Sequence, residues 1–230
     1  MSAPAIDFEA ARERVRPHVY HTPLLASQTL SGRTGFDVRL KAEMFQRTGS
    51  YKIRGPSSVR RPAADRGART LGPEIYQDWA GVDVVVPIGG GGLISGVSMA
   101  LKRRNPRIRV VGVESSGAPG MQRSVREGRV VALDTVDCVI DGLRVKRVGT
   151  VTHLIVSRYV DDIVTLPDAD IFDAVVWVME RCKLVVEGAA AAPVAALLHG
   201  LVEAPAGSKV VCVLSGGNVN LDQLRGLRWN

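Results

Sequence analysis

The sequence predicts an α/β fold in three layers, with a mostly parallel sheet between two layers of helices. Apolar runs such as VDVVVPI, at 82–88, are continuous rather than alternating, which is typical of strands buried on both faces of a sheet. These runs alternate along the chain with longer segments of helical character. That order produces parallel strands joined by crossover helices.

The N-terminal part of the chain predicts one helix and one strand. Asp7 is a candidate N-cap for a helix over 8–16, and Pro23 ends the helical region because it disfavours helical geometry at the preceding residue. Residues 37–44, DVRLKAEM, alternate between apolar and polar side chains and predict a strand.

The middle of the chain predicts a strand, a helix and a second strand. The apolar run 82–88 leads through four glycines into LISGVSMALKRRN, at 93–105. This segment predicts a helix that stops where Asn105 precedes a proline. Residues 107–114, RIRVVGVE, predict the next buried strand.

The last third of the chain predicts two helices and a final strand. Residues 168–184 predict the first helix, with Asp168 as a candidate N-cap. Residues 189–200 predict the second helix, which ends at its terminal glycine. Residues 209–218, KVVCVLSGGN, predict a strand followed by a loop.

The composition excludes several classes of protein. The 230 residues are 46% hydrophobic and 23% charged, which suits a globular domain with a sizeable core. No apolar run is long enough to cross a bilayer, and no secretory signal is visible, so a cytoplasmic protein that binds no membrane is expected. The net charge of +7 comes from scattered arginines without an aromatic-interleaved basic stripe, so nucleic acid is not an expected partner.

The three cysteines do not predict a metal site. Cys138, Cys182 and Cys212 form no CxxC pair, and no cluster of histidines or acids accompanies them. Cys212 lies within an apolar run and is interpreted as a small buried hydrophobe.

One segment does not fit the alternation of strands and helices. Residues 55–74 contain three prolines, three glycines and four arginines without periodicity. We interpret 56–70 as an irregular junction within a single domain that comprises 1–230.

The first of three candidate chemical motifs is PIGGGGLISG, at 87–96, where a strand, four glycines and a helix follow one another. Consecutive glycines let backbone N–H groups converge, and the helix N-terminus adds positive potential, so the motif can hold a phosphate. It matches neither GxGxxG nor GxxxxGK[ST]. A tight strand-to-helix turn without a ligand would use the same residues.

The other two motifs each contain one polar side chain among small residues. Ser215, in LSGGN, follows a buried strand and can offer a neutral hydroxyl at the sheet edge, although a serine that caps the following turn would have the same pattern. Lys52 lies in RTGSYKIRGP, at 47–56. A solvated lysine is its ordinary interpretation, and an amine that forms a Schiff base is the functional one.

Together the three motifs match the contacts of pyridoxal 5'-phosphate: a lysine for its aldehyde, a glycine loop for its phosphate and a hydroxyl for its ring nitrogen. The ordered set HTPL, LKAEMFQRTGSYKIRG, VPIGGGGLISG, VGVESSGAPGM, DGLRV, RYVDDIVTL, KLVVEGAAA and VLSGGNVNLD resembles the serine/threonine dehydratase family of fold type II pyridoxal-phosphate enzymes, and within it threonine ammonia-lyase. The resemblance covers about 8–55 and 70–227.

The resemblance implies a role for each matching residue. Lys52 would hold pyridoxal phosphate as a Schiff base and later take the Cα proton of the substrate, and Ser215 would hydrogen-bond the pyridine nitrogen. The phosphate would be bound by the glycine loop and the residue after it: Gly89, Gly90, Gly91, Gly92 and Leu93. The implied reaction eliminates water from L-threonine or L-serine to give an aminoacrylate, which hydrolyses to ammonia and 2-oxobutanoate or pyruvate.

The largest departure from the family pattern is an absence. After SYKIRG the family continues into a smaller lobe, whose serine-glycine-asparagine-histidine loop contacts the substrate carboxylate. Here 56–70 leads straight to TLGPEIYQDWAG, which resembles the return into the large lobe, so the small lobe is interpreted as mostly deleted. Its loss would open the cofactor to water and remove closure over the substrate.

A smaller departure concerns a cation site of the family. Glu114 and Ala118 match two of its positions, but Gly120 stands where a second acid is expected. A hard cation is held by several oxygen ligands, and one carboxylate is too few. No metal site is therefore expected.

The leading interpretation is a pyridoxal-phosphate-dependent threonine/serine ammonia-lyase, or a truncated form of one, that acts on a small amino acid. Two alternatives stay open. The chain could be a non-catalytic remnant that binds pyridoxal phosphate or only oligomerises. It could also be a serine racemase-like isomerase, which would need a second acid or base that the family places in the missing loop. A homo-oligomer is expected in each case, and loss of a lobe should expose apolar surface.

Overall fold

The computed structural model describes residues 13–55 and 70–225. The junction predicted over 56–70 lies outside these residues except for residue 70. Of the helix predicted over 8–16 only 13–16 are described, with 13–15 helical, so both stay predictions. Among the helices described, none combines the length and apolar character needed to span a membrane.

A six-stranded sheet forms the centre of the fold, with the strands in the order β1-β2-β6-β3-β4-β5. In the described residues, β1 runs antiparallel to β2 and the other pairings are parallel. Strands buried on both faces need apolar side chains at nearly every position, which the valine-rich β3 and β6 supply. The strands are β1 (Leu24–Ala26), β2 (Asp37–Ala42), β3 (Asp83–Pro87), β4 (Val110–Ser115), β5 (Asp162–Leu166) and β6 (Lys209–Leu214).

Helices cover both faces of this sheet. They are α1 (Gln28–Thr34), α2 (Leu71–Asp78), α3 (Gly92–Arg104), α4 (Gly120–Glu127), α5 (Thr150–Tyr159), α6 (Asp168–Trp177), α7 (Gly188–Leu198) and α8 (Leu221–Arg225). Short 3-10 turns lie at Arg16–His18, Glu43–Phe45 and Tyr51–Arg54, and a π-helical turn at Val178–Cys182 extends α6.

The sheet separates two apolar clusters. On one face it packs against α1, α6 and α7, and on the other against α2, α3, α4 and α5. Successive residues of β3 enter opposite clusters, with Val85 in the first and Val84 and Val86 in the second, as the alternation of a strand requires. The three-layer, mostly parallel α/β fold predicted from the sequence is confirmed.

The predicted strands and helices that fall within the described residues are present, with small differences at their ends. The helix predicted over 168–184 is α6 plus its π-helical turn, and the helix predicted over 189–200 is α7, which ends at Leu198. Cys212, predicted to be buried, has no exposed surface.

The prediction that Asp168 is the N-cap of α6 is wrong, because Pro167 holds that position. The Asp168 carboxylate instead accepts hydrogen bonds from the Ser115 hydroxyl and from the Val139 backbone N–H. It therefore joins the end of β4 to the start of α6 and to the loop before α5.

Several elements carry no clear signal in the sequence. The three residues of β1 are too few to show alternation. Helix α5, TVTHLIVSRY, is rich in β-branched residues, whose intrinsic preference is for strands. Packing of its buried positions against α3 and α4 overrides that preference.

The carboxyl ends of three neighbouring strands bring the candidate motifs together. Strand β6 lies between β2 and β3, and the three run parallel. The turn with Lys52 comes after β2, Ser215 directly follows β6, and Gly89 comes after β3. Motifs distant in the sequence therefore meet at one edge of the sheet, where ligands of α/β proteins bind.

A buried acid, Glu114, connects β4 to the start of α4. It is 1% exposed, and its two carboxylate oxygens accept the backbone N–H groups of Met121 and Gln122 at 2.8 Å each. Burial raises the pKa of Glu114 to about 7, although these two hydrogen bonds act in the opposite direction. Among the described residues, no group of three or more histidine, cysteine or acidic side chains could hold a metal ion.

Titration of Glu114 should make the protein less stable as the pH rises. Because its pKa is higher in the folded chain than in the unfolded chain, the folded state binds the extra proton between about pH 4.5 and pH 7. The free energy of unfolding therefore falls across that window as Glu114 ionises. The fall amounts to about 3 kcal/mol, at about 1.4 kcal/mol per pKa unit. Urea denaturation at pH 5 and pH 8 measures it, with Glu114→Gln as the matched variant that lacks this titration. Equal pH dependence in the two proteins would contradict the assignment.

Candidate active site

A cleft at the carboxyl edge of the sheet gathers every candidate residue that the sequence predicted. Its lining comprises Tyr51, Lys52, Pro87, Gly89, Gly90, Gly91, Gly92, Leu93, Gly142, Glu187, Ala189 and Ser215. Lys52 is exposed to solvent within this cleft, whereas Ser215 is only 2% exposed. Solvent therefore reaches the Lys52 side chain in the cleft, whereas the Ser215 side chain is covered by protein.

Backbone hydrogen bonds hold the Lys52 turn against the Ser215 loop. The N–H of Tyr51 donates to the carbonyl of Ser215 at 2.9 Å, and Ser50 forms an isolated antiparallel bridge with Gly216. The position of Lys52 is therefore tied to the loop that follows β6, independently of any side-chain contact of its own.

Gly49, just before this turn, has a backbone conformation that strongly favours glycine. Its φ of +73° lies in the left-handed region, and an added Cβ would come 2.3 Å from the Asn218 side-chain oxygen. The Asn218 amide donates to the carbonyl of Thr48 at 3.0 Å, and the N–H of Gly217 donates to the carbonyl of Gly49 at 2.9 Å. The close approach of the two loops depends on the missing side chain.

The other end of the turn is anchored by Arg54, a buried arginine with no exposed surface. Its guanidinium donates to both carboxylate oxygens of Glu43, at 2.7 and 2.8 Å, and to both of Glu74, at 2.7 and 2.8 Å. A further bond reaches the Thr70 hydroxyl at 3.0 Å. Burial alone would lower the pKa of Arg54, but the bonds and charges of the two glutamates outweigh it and raise the pKa above its usual value.

A second buried cation, Lys41, extends this arrangement. Its ammonium donates to the carbonyl of Thr22 at 2.7 Å and to Asp78 at 3.1 Å, and lies 3.3 Å from Glu74. The Thr22 hydroxyl in turn donates to Glu43. Two cations and three acids therefore satisfy one another inside the protein, as buried charges must.

This buried ion network, defined as Lys41, Glu43, Arg54, Glu74 and Asp78, joins segments on both sides of the predicted junction. Lys41, Glu43 and Arg54 come before residues 56–69, and Glu74 and Asp78 lie on α2, after them. The turn that carries Lys52 is thus fixed to α2 by contacts among described residues.

The glycine loop after β3 has the shape of an anion site. Gly91, the N-cap of α3, has φ +87°, and a Cβ there would meet the Met121 side chain at 2.4 Å. A Cβ at Gly89 would lie 2.3 Å from the carbonyl oxygen of Gly142. At Gly90 and Gly92, by contrast, an added Cβ would meet nothing within 4 Å. Packing accounts for two of the glycines, and the other two leave the backbone open to the cleft.

These features fit a cofactor that carries a phosphate, an aldehyde and a ring nitrogen. The open loop lies at the N-terminus of α3, where N–H groups and the helix dipole favour an anion. Lys52 offers an amine, and Ser215 a hydroxyl, on the same cleft. The donor set therefore suits pyridoxal phosphate.

Glu187 also lines the cleft, although no pattern in the sequence predicts its place there. It precedes α7, and its backbone N–H donates to the carbonyl of Gly216 at 3.1 Å. Burial raises the pKa of Glu187, while the charge of Lys52 lowers it. A lone acid before an alanine-rich helix gives no signal in one sequence, so only the fold reveals it.

Comparison with known proteins identifies the family. A family model described as "Pyridoxal-phosphate dependent enzyme" matches residues 56–216. The chain belongs to this family. Pyridoxal phosphate is the cofactor of the family, in agreement with the expectation drawn from Lys52, the glycine loop and Ser215.

Curated relatives of this family member are named for one reaction. L-threonine ammonia-lyase of Thermotoga maritima is 42% identical over 164 residues, which is 71% of this chain and 40% of the relative. Catabolic L-threonine dehydratase of Escherichia coli K12 is 42% identical over 165 residues, 71% of this chain and 50% of the relative. In these alignments the chain spans half or less of the length of the relatives.

Solved structures agree on the fold. The crystal structure of a threonine deaminase from T.th. matches with a TM-score of 0.86 and 30% identity, covering 94% of this chain and 99% of that one. Maize serine racemase matches with a TM-score of 0.88 and 26% identity, covering 97% and 96%. The family and its fold type are therefore those that the ordered motifs predicted.

Replacing Arg54 should destabilise the protein strongly. Arg54→Met leaves Glu43 and Glu74 buried without their partner, which we expect to lower the free energy of unfolding by roughly 3–5 kcal/mol. Arg54→Lys should recover only part of this, because an ammonium cannot form two bidentate pairs. Urea denaturation measures the loss, with Arg129→Met as the exposed control. Equal stability of Arg54→Met and Arg129→Met would show that the network does not hold the turn.

Proposed function

We propose that this chain is the cofactor-binding lobe of a pyridoxal-phosphate-dependent ammonia-lyase that acts on L-threonine or L-serine. The observation that carries the proposal is the meeting of Lys52, the glycine loop and Ser215 on one cleft, at the ends of three neighbouring parallel strands. The names of the relatives support the choice of reaction.

In this proposal the backbone does most of the binding. The N–H groups of Gly89, Gly90, Gly91, Gly92 and Leu93 would hold the phosphate at the N-terminus of α3. The Ser215 hydroxyl would hydrogen-bond the ring nitrogen. Because a hydroxyl is neutral, it does not keep that nitrogen protonated as a carboxylate would.

The chemistry divides between the cofactor and Lys52. When bound, pyridoxal phosphate supplies a ring that accepts electrons from the Cα of an amino acid. The amine of Lys52 would hold the aldehyde of the cofactor and would take the Cα proton of the substrate. The β-hydroxyl would leave as water, and uptake of one water by the resulting enamine would give ammonia and 2-oxobutanoate from threonine, or ammonia and pyruvate from serine.

Slow turnover is part of the proposal. Lys52 is exposed, and among the described residues that line the cleft it is the one cation available to a substrate carboxylate. Water therefore reaches the reacting groups, and the substrate is poorly positioned, both of which weaken catalysis.

A second candidate function is cofactor binding without turnover. The open cleft and the short span relative to the curated relatives favour it. Isomerisation of serine ranks third. The likeness to maize serine racemase favours it, but racemisation needs a second acid or base opposite the lysine. A homo-oligomer stays an expectation for each candidate.

Borohydride labelling tests the first step of the proposal. Purified protein with pyridoxal phosphate should gain a visible absorbance band, and borohydride reduction followed by peptide mapping should place the label on Lys52. Lys52→Ala should lose band and label, whereas Lys146→Ala, in an exposed loop, should keep both. Absence of the band from the unaltered chain would contradict the proposed function and its second candidate.

Assays of product formation distinguish the candidate functions that remain after the labelling experiment. Formation of 2-oxobutanoate from L-threonine, lost in Lys52→Ala, supports the ammonia-lyase. A labelled protein that forms no 2-oxo acid from either substrate supports binding alone. Appearance of D-serine from L-serine supports the isomerase.

Gly90→Ala should separate cofactor binding from stability. Its Cβ meets no protein atom within 4 Å, so the fold should tolerate it, but the methyl group would intrude on the phosphate. At a cost of roughly 1–3 kcal/mol for overpacking, we expect pyridoxal phosphate affinity to fall about tenfold or more. An absorbance titration measures it, with Gly32→Ala, equally unobstructed but outside the cleft, as the control. Unchanged affinity in Gly90→Ala would remove this loop from the phosphate site.

A further inference from the structure

Thr152, the third residue of α5, packs directly against the glycine loop. Its side chain is buried, and its hydroxyl oxygen lies 2.8 Å from the carbonyl oxygen of Gly90 and 2.9 Å from that of Gly149. A Cβ added to Gly91 would lie 2.9 Å from the Cβ of Thr152. The threonine therefore contacts the loop through its hydroxyl and through its carbon atoms.

The bond from Thr152 to Gly90 is not a requirement of helix α5. A threonine near the start of a helix commonly bonds a carbonyl three or four residues before it, and the bond to Gly149, the N-cap of α5, is of that local kind. The Gly90 carbonyl is the nearer acceptor, and it belongs to a loop 62 residues earlier in the chain. The hydroxyl thus connects α5 to the loop that precedes α3.

This bond also sets the direction of the Gly91 N–H, because the Gly90 carbonyl and the Gly91 N–H belong to one peptide group. A peptide group is planar, and within the part of the chain that the structure describes no peptide bond is cis, so the two groups point in opposite directions. With the carbonyl held by Thr152, the N–H points away from α5. Gly91 lines the Lys52 cleft, and among the described residues no acceptor bonds its N–H.

Without such a bond the Gly90–Gly91 peptide group would be free to turn over. Rotation about ψ of Gly90 and φ of Gly91 exchanges the directions of carbonyl and N–H, and glycine lacks the Cβ that resists such rotation. A Cβ at Gly90 would meet nothing within 4 Å, so packing does not hold this residue. In the reversed orientation a carbonyl oxygen would face the phosphate and repel it.

We propose that Thr152 is the positioning residue of the phosphate site, and that its hydroxyl holds the Gly90–Gly91 peptide group with the N–H toward the cleft. The inference rests on the proposed function, since it concerns the phosphate that the glycine loop would bind. Thr152 does not itself line the cleft. Its effect is therefore on binding of the phosphate and not on the reaction of the aldehyde with Lys52.

A comparison of two ligands tests this role. Pyridoxal phosphate and pyridoxal share the aldehyde that reacts with Lys52, but only the first carries a phosphate. Absorbance titration measures the affinity of each, and borohydride reduction with peptide mapping confirms the label on Lys52. Thr152→Val keeps the branched shape and removes the hydroxyl, so pyridoxal phosphate affinity should fall roughly three- to tenfold, the effect of one hydrogen bond. Pyridoxal affinity should change by less than about twofold.

Two variants serve as controls, and circular dichroism checks that each protein is folded. Thr152→Ser keeps the hydroxyl and should retain the affinity of the unaltered chain for both ligands. Thr34→Val removes a hydroxyl that bonds the Leu30 carbonyl at 2.9 Å in α1, outside the cleft, and should also leave both affinities unchanged. An equal fall for both ligands in Thr152→Val overturns the proposal. Full pyridoxal phosphate affinity in that variant, or the same loss in Thr152→Ser, overturns it as well.

The unaltered chain provides a test that does not depend on the folding of a variant. In its NMR spectrum the amide proton of Gly91 should move downfield when pyridoxal phosphate binds, because a hydrogen bond to the phosphate deshields it, and should move less with pyridoxal. An unmoved Gly91 signal in a chain labelled at Lys52 overturns this inference alone. A chain that gains no label at Lys52 contradicts the proposed function itself, and this inference with it, so the two failures are distinguishable.

Discussion

The double pairing of Arg54 with Glu43 and Glu74 is the interaction on which the site depends. Arg54 lies two residues after Lys52 in the same 3-10 turn, so fixing the guanidinium fixes the lysine backbone. A buried arginine tolerates little displacement, because any movement leaves charges unpaired in a medium of low polarity. The ion network therefore holds the end of the turn that follows Lys52. The Ser215 loop holds the end that precedes Lys52.

The same network explains how a site can exist in a chain that spans half or less of its curated relatives. Its members come from β2, from the turn after it and from α2, so the anchorage does not involve residues 56–69. In the proposed function, the chain supplies backbone N–H groups, a hydroxyl and an amine at the ends of rigid strands for the cofactor. Among the described residues that line the cleft, it supplies no cation other than Lys52 for a substrate carboxylate, and Lys52 itself is exposed.

The sequence was sufficient for the architecture, and the candidate cofactor residues that it predicted line one cleft, because strands and glycine loops leave local signals. Continuous valine runs mark buried parallel strands, and four glycines before a helix mark an anion loop. It was insufficient where the signal is tertiary. Helix α5 has the composition of a strand, Asp168 bonds to β4 rather than capping α6, and neither Arg54 nor Glu187 has neighbours in sequence that reveal its partners. Those contacts arise only when the sheet brings distant segments together.

Hydrogen exchange at the Lys52 turn tests the central claim most directly. The N–H of Tyr51 donates to Ser215 and the N–H of Gly55 donates to Lys52, both at 2.9 Å, at the two ends of the turn. If the ion network and the Ser215 loop hold the turn, both amides should exchange as slowly as those of β6, through global unfolding only. Rapid exchange of both amides, with β6 still protected, would mean that the turn opens locally and that Lys52 is not preorganised in this chain.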